Sequence, residues 1–524
     1  MIGIDLGTTN SILSVDDGKH IKVRGSLTSS IFFSPDQECL VGAKAQKRGS
    51  EIPDRLIQSA KSWLSHDGID RRSAFLPIGS CEQKLSPVDA STLYLSHLKE
   101  AFGSFQGHDV TITVPASFDP SARSLVQEAA HAAGIDQITL IEEPLAAFYD
   151  WIHTHELDWR NHLSVGDRVL VVDIGGGTTD FSLIQVEEHD GNLQLKRSAV
   201  GEHLLLGGDN IDLALAYHIK GKLGELDSWQ WATLIHAVRE AKERIFSGEK
   251  EVSVSVAGRG SSLIGGSLQA TLTSDECESL LIDGFFPKVP FDEQVAQKQR
   301  LGLTTLALPY VQDPRVTAHL ASFLTEQPTA VLFNGGTMKA KPFRQRVIDQ
   351  LNSWSGQSVK ELPGADLDCA VSRGAAYYGR VRKGEGIRVR APSARSYYIG
   401  VEGAAPAVPG MPAQITPVCI VPFGMEEGSE YEISEAFTLR LGEPALFRFY
   451  SHTNSNEITS IDSLEQLHPI ETVLDSDQQS FVRVTLCSKL TELGILELWC
   501  ISEQKRWKLE FDLRAEQREL AVSS

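Results

Sequence analysis

Basic residues are in short supply: 49 Lys and Arg stand against 69 Asp and Glu, a formal net charge of −20. A nucleic-acid backbone is held by a basic footprint, so no nucleic-acid partner is expected. Long apolar runs are missing too, and residues 1–15 show no basic segment leading into an apolar one. No membrane span and no secretory leader are therefore expected. Cysteine is sparse and scattered: Cys39, Cys81, Cys277, Cys369, Cys419, Cys487 and Cys500 form no CxxC pair and are odd in number. This excludes a disulfide framework and a zinc site and fits reduced thiols in a cytoplasmic protein. The two common phosphate signatures are also lacking. There is no GxxxxGK[ST], and the glycine-rich stretches do not open a helix as GxGxxG does.

At 524 residues the chain is too long for one core, so two or more domains are expected. Strand and helix patterns alternate up to about residue 385, which points to an α/β architecture. Beyond Tyr397 the runs become short, β-rich and broken by Gly and Pro, ending in the hairpin-like pair "GILELWC" (494–500) and "WKLEFDL" (507–513). The histidines of "HTHELDWRNH" (153–162) lack HExxH spacing, so a solvated loop is expected there instead of a metal site.

One turn occurs twice. "IGIDLGTTNS" (2–11) and "VVDIGGGTTD" (171–180) each run from an apolar strand into Asp, Gly and two threonines, and then into a second strand. Successive backbone N–H groups in such a turn make a nest for phosphate oxygens, and Thr hydroxyls add donors. The strand-end Asp5 and Asp173 can hold a hydrated Mg²⁺ against a polyphosphate. Two such turns facing each other would grip one phosphate chain from both sides.

With "VLFNGG" (331–336), these turns resemble the nucleotide-binding elements of the actin-like ATPases. The ordered series "IQSAKSWLS" (57–65), "TITVPASF" (111–118), "IEEPLAA" (141–147), "LGGDNID" (206–212) and "RGAAYYG" (373–379) resembles the heat shock protein 70 (DnaK-type) chaperone family. That resemblance implies a two-lobed actin-like ATPase domain over 1–385, a linker at 386–396 and a β-rich substrate or partner domain over 397–513. It implies ATP or ADP and Mg²⁺ as cofactors, with Asp5 and Asp173 organising the metal through water. Lys61, Glu143, Asp173 and Thr178 become the catalytic candidates, Lys61 aimed at the γ-phosphate and Glu143 placing metal or water. The nucleotide contacts fall on Asp5, Gly7, Thr8, Thr9, Asn10, Gly175, Gly176, Gly177, Thr178, Gly207, Gly208, Lys242, Gly335, Gly336, Thr337, Lys339 and Asp368. Pro115 and Arg123 match positions that the family uses to couple nucleotide state to the second domain.

The sequence also departs from the family. Arg239, not Glu, stands three residues before Lys242, and Lys339 replaces an arginine that packs on the base and whose planar stacking Lys cannot reproduce. The 285–330 stretch has no match, and the linker "GIRVRAPSARS" is basic where the family's is acidic and apolar. The tail 514–524 is too short for a helical lid. An ATP-hydrolysing, chaperone-like monomer is the expectation. It would bind unfolded peptide or a dedicated protein partner, with co-chaperones or an exchange factor as further partners. A small-molecule kinase and an actin-like filament protein share the same core and stand as alternatives.

Overall fold

In the computed structural model the described residues are those outside 259–265, 296–307, 404–414, 453–460, 475–479, 492–494, 513–524 and a scatter of single and paired positions. The tail 514–524 and, within the 285–330 stretch, residues 296–307 and 309 thus lie outside the described residues. The chain divides into two compact units, Met1–Arg388 and Val389–Ser524.

The first unit repeats one sheet plan. In the first copy, strand Ile2–Leu6 pairs antiparallel with Asn10–Asp16, which pairs in turn with Ile21–Thr28. On its other edge Ile2–Leu6 lies parallel to Val110–Val114, and that strand lies parallel to Ile138–Glu142. The second copy is built on Arg168–Ile174. That strand is antiparallel to Thr179–His189, which pairs with Asn192–Val200. Its parallel neighbour is Ala330–Asn334, followed by Lys360–Glu361. The central strands are near-continuous apolar runs, buried from Val169 to Ile174 and along the whole of Ala330–Asn334, as strands covered on both faces must be.

Local sequence sets where the helices begin. Strand Ile138–Glu142 passes directly into helix Glu143–Thr154, whose second residue is Pro144 and whose first-turn acid is Glu143. Proline's fixed φ suits that position, and a carboxylate is favoured by the helix dipole there. Asp227 caps helix Ser228–Phe246 in a reciprocal box with Gln230. Helix Ala370–Arg382 is tied down by charge: Arg373 binds Asp150 through two hydrogen bonds of 2.8 and 2.7 Å, and Arg380 binds Asp16 at 2.7 and 2.5 Å. A core from Leu170 and Phe181 through Leu234 and Phe286 to Val359 fills the second half.

The stretch 153–162 is largely exposed, as expected of a solvated segment, but it forms helix and turn and not a loop. The helix runs to Thr154, a short helix covers Trp159–His162, and Trp159 is fully buried. His155 stacks on Trp151 at 5.0 Å, and these ring contacts accompany helix and turn while Thr154, Glu156, Asp158, Arg160 and Asn161 stay exposed.

The second unit is made of strands. Ser396–Glu402 pairs with Ile415–Val421 and Phe449–His452. A second sheet runs Ser429–Leu441, Ser480–Leu490, Ile495–Ile501, Arg506–Asp512, all antiparallel. Tyr397, Ile420, Phe449, Leu486, Leu498 and Phe511 share one core. All seven cysteines are free thiols. Among the described residues no helix is long and apolar enough to cross a membrane.

Candidate functional site

Each sheet copy carries an aspartate as the next-to-last residue of its central strand, and each aspartate is held from the parallel neighbour. Asp5 stands in register with Thr113, whose Oγ1 donates to its Oδ1 at 3.2 Å. Asp173 stands in register with Asn334, whose Nδ2 donates to its Oδ2 at 2.8 Å. The turns that follow, Gly7–Thr9 and Gly175–Thr178, touch each other. A Cβ at position 176 would sit 2.1 Å from Thr9 Oγ1, and one at position 177 would sit 2.9 Å from Thr8 Cγ2. Glycine in the second turn is what lets the threonines of the first come this close.

The turns open onto a cavity of 690 Å³, a size usual for a small-molecule site. Its wall includes Asp5, Gly7, Thr8, Thr9 and Asn10 from the first half, and Asp173, Gly175, Gly176, Thr178 and Gly208 from the second. Glu143, Lys242, Gly335, Gly336, Thr337, Lys339 and Asp368 complete the expected set that the fold brings together here. Thr337 Oγ1 donates to the Gly175 carbonyl at 2.8 Å, fastening the third segment to the second turn.

Three expected residues stand elsewhere. Gly177 faces Thr8, as described. Gly207 packs under the second turn, where a Cβ would meet the Gly176 and Gly175 carbonyl oxygens at 2.7 and 2.9 Å. The amides next to it are committed as well: Gly208 N–H donates to the Gly175 carbonyl and Asp209 N–H to that of Gly176. The "LGGDNID" glycines thus brace the turn. Lys61 is only 3% exposed and is bonded to Glu143 Oε1, so its charge reaches the cavity through Glu143. It is not a solvated helix charge. Arg123 is buried too. Its Nη2 donates to the Ala116 carbonyl at 3.0 Å and lies 3.6 Å from Glu142 Oε1, beside Glu143 and one residue beyond Pro115.

Carboxylates outnumber cations at the turns, and their proton affinities show it. Burial, with the Glu143 charge, pushes the Asp5 carboxyl up to about 7, against Lys61 and the Thr113 hydrogen bond. Burial also raises Asp173 well above the ordinary carboxylate range; Glu143, Asp180 and Asp5 add to this, and the Asn334 bond opposes it. A raised folded-state pKa means that the folded chain holds more protons than the unfolded one between the ordinary carboxylate range and pH 7. Stability from Asp5 therefore falls as pH rises through that window. Asp5→Asn removes this titration and can still accept from Thr113. Its Tm in nucleotide-free protein should exceed wild type by more at pH 8 than at pH 5, measured by calorimetry. An equal difference at both pH values would show that Asp5 is ionised without cost.

Among the described residues no group of three or more His, Cys, Asp or Glu is arranged to hold a metal ion. The cavity offers instead two hard carboxylates in excess of local positive charge. That donor set fits a Mg²⁺ ion that keeps most of its waters and shares phosphate oxygens.

Elsewhere in the cavity wall the cations are already paired. Lys242 Nζ bonds Asp212 Oδ1 at 2.6 Å, and Arg239 bonds Asp212 at 2.5 Å and Asp209 at 2.7 Å. Lys339 pairs with Asp368. Phe246 supplies apolar surface, backed edge to face at 4.9 Å by the buried Phe343. Asn334, Asp209 and Asp212 were not among the residues singled out by motif. A polar residue closing the apolar strand "AVLFN", and acids spaced i, i+3 opposite Arg239 and Lys242 at the same spacing, are the signals that point to them.

Two copies of one sheet plan around a cavity lined by paired Asp–Gly–Thr turns define a two-lobed α/β nucleotide-binding class. A family model described as Hsp70 protein matches residues 1–285, more than half of the chain. The chain belongs to the Hsp70 family, whose members are nucleotide-binding, chaperone-type ATPases with actin-like lobes. Gly335 to Asp368 lie beyond the matched span.

Proposed function

We propose that the chain binds ATP with Mg²⁺ between the two turns, hydrolyses it slowly, and couples nucleotide state to binding of a peptide or protein partner. The observation that carries this reading is the pair of aspartates at equivalent strand ends, each followed by a turn that touches the other. Thr8, Thr9 and the Gly175–Thr178 turn hold phosphate oxygens with hydroxyls and backbone N–H groups. Asp5 and Asp173 hold Mg²⁺ through its waters, and the ion supplies charge neutralisation for phosphoryl transfer. Glu143 orients the attacking water, while Lys61, fixed against it, adds a positive charge where negative charge develops. Phosphoryl transfer asks little more of a protein than positioning and charge. For the base, the partly exposed Phe246 offers apolar surface, whereas Lys242 and Lys339 are engaged with acids.

The partner-binding role falls to the 397–513 region, joined by the basic linker 386–396. A nucleotide shifts a partner equilibrium only by its differential affinity for two states, and a basic linker is a poor substitute for an apolar docking strand. Fluorescent unfolded peptide should therefore bind weakly, with dissociation constants in ATP and ADP within about five-fold of each other, a coupling of about 1 kcal/mol at most. A large ATP-dependent loss of affinity would show the linker to be a working coupler. No binding of any peptide would favour a dedicated folded partner.

A further inference from the structure

We propose that Asn334 is a positioning residue for Asp173, the counterpart in the second half of Thr113 for Asp5. The proposal rests on the Mg²⁺–phosphate reading above. The duplicated sheet plan carries it first: in both copies the residue in register on the parallel neighbour donates a hydrogen bond to the strand-end aspartate. The Asn334 bond is the shorter, 2.8 Å against 3.2 Å. Asn334 is 1% exposed and closes a strand otherwise made of Ala330, Val331, Leu332 and Phe333. A buried amide is costly unless it is fully bonded, yet its Oδ1 has no hydrogen-bond partner among the described residues. An apolar residue would serve the core better. What the amide does supply is a fixed donor to one carboxylate oxygen.

The next residue clears space for the other oxygen. Gly335 has φ +86°, and a Cβ there would stand 2.8 Å from Asp173 Oδ1 and 2.3 Å from the Ile174 carbonyl oxygen. Asn334 and Gly335 together thus set the plane of the Asp173 carboxylate. One oxygen is pinned, and the other stands in a gap that only glycine leaves open. Partners of this kind, one step removed from a metal, orient the group that holds it.

The test is the ratio of ATP dissociation constants in EDTA and in Mg²⁺, measured by calorimetry on the full chain. Asn334→Leu keeps the number and branching of side-chain heavy atoms and removes the donor. The ratio should fall by about 10- to 100-fold, as for other groups one step removed from a metal, while affinity in EDTA stays within about two-fold. Asn334→Asp, nearly identical in shape, should lose at least as much, because a second carboxylate faces Asp173. Thr113→Val should show a smaller loss. An unchanged ratio, or equal losses with and without Mg²⁺, would overturn the proposal. A crystal structure of nucleotide-free Asn334→Leu gives an answer independent of ATP. A turned Asp173 carboxylate supports the proposal and an unmoved one overturns it. If wild-type ATP affinity does not respond to Mg²⁺, the ATP reading fails, and the carboxylate orientation alone decides the role of Asn334.

Discussion

Asp173→Asn should lower the rate of ATP hydrolysis by about 100-fold or more, because it removes half of the charge that holds the metal at the transferring phosphate. It should do so without unfolding the protein. The carboxyl group of Asp173 is pushed well above its usual range by burial and by three neighbouring carboxylates, so its charge costs stability in the free protein. An amide of the same shape is released from that cost and can still accept from Asn334 Nδ2, now 2.8 Å from Oδ2. The variant should melt at or above the wild-type temperature near neutral pH while phosphate release collapses. Stability and activity thus move in opposite directions, which a merely structural aspartate would not produce. Unchanged hydrolysis in a folded variant would contradict the roles given to the two turns.

Lys61→Ala should slow the chemical step far more than it weakens binding. Its ammonium is buried against Glu143 and faces the Phe118 ring at 5.9 Å. A charge fixed in so dry a setting acts most strongly on charge that develops late, on the transferring phosphoryl group. Single-turnover measurements should show a drop of about 100-fold in the hydrolysis step with ATP affinity changed by less than about ten-fold. Removing one partner of a buried pair leaves the other uncompensated, so a stability loss on the order of 3 kcal/mol in urea unfolding is also expected. Lys61→Met, which keeps the apolar stem, separates packing from charge: its activity should match that of Lys61→Ala. Lost binding with normal turnover of the ATP still bound would reassign Lys61 to general attraction of the nucleotide.

The repeated turns were legible because they are local. Apolar strand, Asp, Gly and Thr occur in one short window, and finding the window twice already implied a duplicated unit. The parallel neighbours were much less legible. Register between Asn334 and Asp173 spans 161 positions, and no local pattern reports it. The same holds for Arg239, whose place in "VREAKERIF" was plain but whose pairing with Asp209 and Asp212 depends on how two helices pack. Gly207 was assigned to the nucleotide through the family resemblance of "LGGDNID". Its real constraint is the Gly176 carbonyl beneath it. Arg123 and Lys61 show the converse, since charged residues that could have been solvated are buried and bonded once strands and helices close around them.

The most direct measurement is titration of ATP into the purified protein by calorimetry, once with Mg²⁺ and once with EDTA. One nucleotide per chain, bound more tightly with Mg²⁺ and losing that advantage in Asp173→Asn, is the predicted result. No binding under either condition, or binding indifferent to both Mg²⁺ and Asp173, would contradict it.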